Sequence, residues 1–396
     1  MKRGFLQKQA LAFFPDFSHL TGNSIVMSSG KIIKRSGRLS FDRVRLEDIA
    51  QQCDLSISTV SRVINKRTDQ FPIAAKTIER VYAVAKKLGY RPNRLARAIA
   101  YQKTNLIGLS VPHHRTGATQ PVFGDEAYFT AQIFGILAGG ILDNPKMLDY
   151  DLVIHDRRKY GHPDRMADAF QNDLLDGIIY TNPTTNSIPF LREFAQQTPV
   201  ILLGFSKELS RKLLSVDIDN RHAAKMCVQH VLQTGKRKPL ILLPEKLRNF
   251  LCIQDRLHGY LDGLREAGLP ASPSQVITLN QDPSDVAAWV RQSDLLRQHD
   301  AILVPTDELA IYCLKPLRER GFHIPRDIAV VGFSDSQQCQ NSVPPLTTVR
   351  MPFHEMGYSA ADLLIDVLNG TEKYSPGHHS VETSLCIRES TVDRMV

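Results

Sequence analysis

The chain predicts a small all-helical head followed by a two-lobed α/β body of doubly wound parallel sheets. Three observations carry this. Charge is split: residues 1–103 hold 20 Lys+Arg against 7 Asp+Glu, so of the net +8 the first 103 residues carry +13 and the remainder −5. Between 44 and about 100, apolar residues recur at spacings of three and four, the period of an α-helix. After Lys103 short apolar runs alternate with helical stretches, the pattern of parallel strands joined by crossover helices. A basic head on a mildly acidic body points to a polyanion met by the head alone.

Residues 1–43 mix Gly, Ser, Lys and Arg without a sustained period and read as a flexible basic extension. Met27 inside it is an alternative translation start. Leu46, Ile49 and Ala50 mark a first helix, Ser58 to Asn65 a second, and Lys76 to Leu88 a third, with Ile78, Val81, Tyr82, Ala85 and Leu88 on one stripe. Gly89 is placed to end the third helix. RPNRLARAIA (91–100) forms a further turn or two at most. The apolar runs that follow are LIGLSV (106–111), DLVIHD (151–156), GIIYT (177–181), VILLG (200–204), LILLP (240–244), AILVP (301–305) and IAVVGF (328–333). They do not alternate with polar residues, as strands covered on both faces should not. Helix candidates between them are 221–234, 255–267, 284–298, 308–320 and 354–369. The run from 104 to 396 is too long for one such sheet, hence two similar lobes.

Several classes drop out. Cys53, Cys227, Cys252, Cys313, Cys339 and Cys386 form no CxxC and no zinc-ligand spacing with histidine, so they read as buried free thiols. The apolar run IFGILAGGIL (133–142) is far short of a membrane span, and Lys8, Pro15 and Asp16 interrupt any signal-peptide core. The expected location is the cytoplasm, with no membrane partner, no metal and no cofactor. GxGxxG, the P-loop, GxSxG and HExxH are all missing, and no catalytic set is suggested by spacing.

LSISTVSRVINKR (55–67) carries the chemistry of the head. LEDIAQQC (46–53), the turn DLS (54–56) and ISTVSRVIN (57–65) have the proportions of a helix-turn-helix. Ala50 allows close approach, and Leu55, Val60 and Val63 supply the shared core. Ile57, Ser58, Thr59, Ser61, Arg62 and Asn65 are then left for DNA. Arg62 can pair bidentately with guanine and Ile57 can pack on a thymine methyl; Thr59, Ser61 and Asn65 suit phosphate or sugar. Taken alone, the same stretch fits a solvated amphipathic helix capped by Ser56 or Ser58 equally well.

TVSRVIN followed by AKTIERVYAVAKKLGYRPNRLARAIA closely resembles the N-terminal domain of the lactose-repressor (LacI/GalR) family. The resemblance continues through GIIYT, VDIDN (216–220), RLHGY (256–260), IPRDIAVVGFSD (324–335), PPLTTVRMP (344–352) and IREST (387–391). It covers roughly residues 44–391 and implies a homodimeric transcription regulator, a repressor, bound to a palindromic double-stranded operator. The body is then periplasmic-binding-protein-like, closed around a small effector, most simply a sugar or sugar derivative. The implied division is a helix-turn-helix domain at 44–90, a hinge at 91–103 and an effector and dimerisation domain at 104–391. Lobe one takes 104–218 plus 350–380, and lobe two 219–349 plus 381–391. In such proteins the segment matching NRLARAIA forms a hinge helix on the operator, lying in the minor groove. Asn93, Arg94, Ala96 and Arg97 match it, with Ile99 as the wedge at the central base step. The family usually has Gly where this chain has Asp54, a position serving a left-handed backbone, which Asp tolerates better than most residues.

For the effector, strand ends nominate Thr181, Thr306, Asp307, Ser334 and Asp335, because ligands of open α/β sheets sit at the carboxyl ends of strands. Arg256 matches the family's effector arginine, and a surface ion pair with Asp255 or Asp262 is its bland reading. Phe353 and Met356 match pocket-lining positions, with plain core as the competitor. Many sugar-responsive relatives carry Asp where this chain has Ser334, with Asp335 one residue later. A non-sugar metabolite such as a nucleobase, or a protein cue, is therefore the alternative regulator. An enzyme on the α/β body is a more remote one. His113 and His114 read as solvated loop.

Overall fold

A computed structural model of the chain describes residues 44–65, 72–91, 98, 103–111, 125–156, 175–204, 211, 213–280 and 282–393. It divides into two units, Met1–Arg94 and Leu95–Val396.

In the head, α1 (Leu46–Cys53), α2 (Ile57–Ile64) and α3 (Ala75–Leu88) close on one core of Ile49, Ala50, Cys53, Val60, Val63, Val81 and Ala85. Asp54 adopts φ 47 and ψ 50, the left-handed conformation the sequence demanded there. The Leu55 N–H donates to the Ala50 carbonyl at 3.0 Å and the Asp54 N–H to that of Gln51 at 3.4 Å. These two bonds make a Schellman cap with Asp in the glycine position, and they turn the chain into α2. Gly89 ends α3 in the same way, at φ 69. Tyr82 departs from the expected stripe. Its ring is 42% exposed, and its hydroxyl donates to the Val63 carbonyl at 2.9 Å, serving the open end of α2.

Among the described residues the body has two six-stranded sheets. The first contains β1 (Leu106–Val111), β2 (Asp151–Asp156), β3 (Gly177–Thr181), β4 (Val200–Leu203), β5 (Leu214–Asp217) and β11 (Gly377–Ser380), in the order β11-β5-β4-β3-β1-β2 and wholly parallel. The second contains β6 (Pro239–Pro244), β7 (Val276–Leu279), β8 (Ala301–Leu303), β9 (Ala329–Ser334), β10 (Thr347–Arg350) and β12 (Ser384–Cys386). Its order is β12-β10-β9-β8-β6-β7, antiparallel only at β12. The covering helices are α4 (Asp125–Asp143), α5 (Ile188–Phe194), α6 (Asn220–Gln233), α7 (Leu251–Glu266), α8 (Pro283–Gln292), α9 (Asp307–Glu319), α10 (Gln337–Asn341) and α11 (Phe353–Asn369). Strand order reverses between β1 and β3 in one sheet and between β6 and β8 in the other, the positions where open sheets leave a crevice.

The central strands match the apolar runs. β5, β7, β10, β11 and β12 were not legible as such runs, because they carry Ser, Thr, His or Asp, or lie at a half-exposed edge. The stretch expected as one helix over 284–298 breaks at Ser293, whose extended ψ of 113 separates α8 from a 3-10 turn. All six cysteines are free, and five are buried. Among the described residues no helix is long and apolar enough to cross a membrane, and no His/Cys/Asp/Glu group could hold a metal ion.

Candidate DNA-reading and effector sites

The N-terminus of α2 is a hydroxyl cluster. Ser56 caps the helix, accepting from the Thr59 N–H at 3.1 Å, and its Oγ lies 2.8 Å from both Ser58 Oγ and Thr59 Oγ1. Val60 and Val63 are buried in the head core. Ile57 and Ser58 stand exposed on the outer face of the first turn, Ile57 at 47%. Thr59, Ser61, Arg62 and Asn65 are half-buried, and Asn65 Nδ2 donates to Ser61 Oγ at 3.2 Å. The two exposed side chains are thus an apolar one and a small hydroxyl at the end of a helix whose other face is anchored. Such a surface can approach base edges closely. Asn93, Arg94, Ala96, Arg97 and Ile99 lie outside the described residues, as do His113 and His114.

In the body, Arg256 is 6% exposed rather than a surface residue. Its Nε donates to Asn220 Oδ1 at 2.8 Å and its Nη1 to the Pro305 carbonyl at 2.8 Å. Nη2 lies 3.7 Å from Met351 Sδ, and the guanidinium carbon is 3.8 Å from the centre of the Phe333 ring. Asp262 is taken by Arg221 and Arg265 instead, which removes the surface-pair reading with that residue. Asn220 in turn donates from Nδ2 to Asp217 Oδ2 at 3.0 Å, while Asp217 Oδ1 accepts from the Ile218 N–H at 2.7 Å. The chain passes between the two sheets at 217–220, at 350–353 and again at 380–384. Arg256 therefore touches the first two of these crossovers and the carboxyl end of β8. Asp217, Asn220, Pro305, Met351 and Phe333 had no assigned role in the sequence; the polar string VDIDN was the one available signal.

The other nominated residues have varied surroundings. Thr181 is buried, and its hydroxyl donates to the Ser110 carbonyl at 3.0 Å, clasping β3 to β1 at the switch point. Thr306 heads α9, and its Oγ1 is buried without a hydrogen-bond partner, as is Ser110 Oγ. Asp307 is fully buried, accepting from Thr348 Oγ1 at 2.5 Å and the Ser336 N–H at 2.9 Å. Burial pushes its carboxyl up. Ser334 and Asp335 take φ values of 146 and 54. Two successive positive φ angles on side-chain-bearing residues are strained unless their surroundings hold them. Asp335 is held by Arg388 Nη2 at 2.6 Å and Arg350 Nε at 2.9 Å. Burial raises its carboxyl, but those two bonds outweigh the burial and keep it below its ordinary value. Phe353 begins α11 half-buried, and Met356 is buried in the main core.

Asp217 yields a pH prediction. Burial pushes its carboxyl up to about 7, against the opposing pull of the Ile218 N–H, the Arg256 charge and Asn220. A folded value above the unfolded 3.8 means that its contribution to stability is full below about pH 4 and is lost as pH rises through about 7. Asp217→Asn, which does not titrate, is expected to gain on the wild type by a few °C in unfolding midpoint between pH 5 and 8. A difference that stays flat across that range contradicts the assignment.

Residues 45–93 match the bacterial regulatory proteins of the lacI family, and residues 228–391 match the periplasmic binding protein-like domain. An uncharacterized HTH-type transcriptional regulator in the aml 5' region of Streptomyces limosus is 30% identical over 333 residues, spanning 81% of this chain and 87% of that protein. The chain belongs to the lacI family. Like the relatives it matches, this lacI-family protein is a DNA-binding transcriptional regulator and not an enzyme. The HTH-type transcriptional regulator CelR of Thermobifida fusca is 29% identical over 352 residues, covering 88% of this chain and 98% of CelR. A solved transcriptional regulator CelR–cellobiose complex shares 25% identity at a TM-score of 0.60, over 88% of this chain and 100% of that one. The lac repressor dimer bound to operator and the anti-inducer ONPF superposes at a TM-score of 0.71 with 22% identity, over 89% and 100%. At that identity it establishes the shared fold of this lacI-family chain: a helical head and a body of two parallel-rich sheets.

Proposed function

We propose that the protein is a homodimeric repressor acting in the cytoplasm, whose affinity for a palindromic operator is set by a small sugar-derived effector seated between the two lobes. The observation that carries the effector half is Arg256, a buried cation joined to two of the three interlobe crossovers. A ligand that engages it acts on the connections through which the lobes move. Binding at one site then changes affinity at the other, equally in both directions. The operator half rests on α2, anchored by Val60 and Val63 and presenting Ile57 and Ser58. Ile57, Ser58 and Arg62 are the residues expected to choose bases, with Thr59, Ser61 and Asn65 on the backbone. Asn93, Arg94, Ala96, Arg97 and Ile99 belong to the hinge in this reading.

Footprinting at moderate salt tests the first half: a protected palindrome supports it, and protection without sequence preference defeats it. Exchanging Ile57 and Ser58 for Val and Ala is expected to change which bases are preferred, by about 1–3 kcal/mol per affected base pair. A uniform loss across all sequences removes both from base reading. A thermal-shift screen of sugars and their derivatives tests the second half. The reading in which the cue is not a plain sugar draws support from Ser334, which leaves a hydroxyl where a carboxylate would accept two sugar hydroxyls.

A further inference from the structure

A cavity of about 440 Å³ opens in lobe one, away from the crevice between the lobes. Arg192 and Ala195 line it from the end of α5, Leu213 and Leu214 from the start of β5, and Tyr374 and Pro376 from just before β11. Strands β4, β5 and β11 are neighbours and parallel, so their amino ends meet here. The effector proposed above sits at the carboxyl ends, the opposite edge of the sheet. One ligand cannot fill both places.

The walls are built rather than loose. Leu213 and Leu214 are 3% and 4% exposed, and with Ala195 and Pro376 they make the lining largely apolar. The Tyr374 hydroxyl donates to the Val200 carbonyl at 3.2 Å and accepts from the Val200 N–H at 3.1 Å. Both bonds brace the wall against the first residue of β4 and commit the hydroxyl to the sheet. Protein interiors leave few voids of this size, and small-molecule sites begin at about 300 Å³.

Arg192 is the one charged residue on the lining. It is half-buried. Its Nε is buried without a hydrogen-bond partner, and among the described residues no carboxylate forms an ion pair with it. A half-buried guanidinium without a partner is short of an anion, and its fork of donors fits a carboxylate with two parallel bonds. Gln196, the other polar side chain at the cavity besides Tyr374, is exposed and neutral.

We propose that this cavity is a second small-molecule site, taking an organic acid whose carboxylate pairs with Arg192 and whose apolar body rests on Leu213, Leu214 and Pro376. An inorganic anion would leave those walls uncovered, and a neutral molecule would leave the guanidinium unpaired. The inference does not depend on which effector occupies the interlobe crevice.

Isothermal titration calorimetry on the full-length chain tests it, with phenylacetate as the probe. Phenethyl alcohol has the same body without the charge, and acetate the charge without the body. Each is titrated into the wild type, Arg192→Gln and Ala195→Phe, after thermal unfolding has shown that each variant is folded. The expected result is binding of phenylacetate to the wild type, about tenfold or more weakened in Arg192→Gln. The alcohol and acetate bind the wild type weaker by a similar factor. Ala195→Phe keeps the arginine but fills the cavity, so it should weaken phenylacetate as well. Arg192→Lys, which keeps the charge, retains part of the affinity and stands in for a Gln variant that fails to fold. Equal affinity of wild type and Arg192→Gln overturns the proposal, as does equal affinity for the acid and the alcohol. Full affinity in Ala195→Phe places the acid elsewhere and overturns it too, as does no binding to the wild type up to about 10 mM.

Discussion

Alanine at Gly140 or at Gly357 is expected to destabilise the body by about 2–3 kcal/mol each, even though Gly→Ala inside a helix ordinarily gains about 1 kcal/mol. The reason is how closely α4 and α11 approach. A Cβ on Gly140 would lie 2.0 Å from the His354 carbonyl oxygen, and one on Gly357 would lie 2.2 Å from that of Leu137. Both obstacles are backbone, so neither can swing aside as a flexible side chain could. The helices must separate along a contact that buries Leu137, Ile141, Met356, Ala360 and Ala361, and the loss of packing outweighs the gain in propensity. Separating the helices once relieves both clashes, so the double variant should cost less than the sum of the two. Urea unfolding of the three variants measures this. Single variants at or above wild-type stability would show that the helices are not in backbone contact.

Val63→Asp is expected to abolish operator binding while leaving the unfolding transition of the body in place. Val63 is fully buried between the three helices of the head, and an aspartate there must lose its hydration among the apolar side chains of that core. A head of this size has only a few kcal/mol of net stability to lose. Ile57→Ala is the matched control. It removes an exposed side chain, so the head should stay folded and bind with altered preference. Fluorescence anisotropy on labelled operator DNA and calorimetry of the full chain separate the two effects. Retained binding by the Val63→Asp variant would show that α2 is not anchored through this residue.

The head was legible in the sequence because its code is local. Leu46, Ile49 and Ala50, then Val60, Val63 and Ile64, fall at helical spacing, and Asp54 and Gly89 stand where the backbone turns left-handed. Short helices joined by defined caps need little else to be recognised. The central strands were legible for a related reason: strands covered on both faces must be apolar throughout. The edge strands were not. GHHS at 377–380 carries no apolar side chain and SLC at 384–386 is too short to stand out as an apolar run, and they become strands because β5 and β10 offer them backbone partners.

By itself, the sequence determined that a basic helical head precedes a two-lobed α/β body, and it singled out α2 and Arg256. Charge balance, periodicity and a few motif strings are properties of neighbouring residues, readable without knowing the fold. Only the tertiary structure decided what surrounds those residues. It buried Arg256 against Asn220, gave both oxygens of Asp335 to Arg350 and Arg388, and left Thr306 Oγ1 without a partner. These contacts join residues up to about a hundred positions apart, from three elements and two crossovers. Their chemistry follows from burial and distance, which no local pattern encodes.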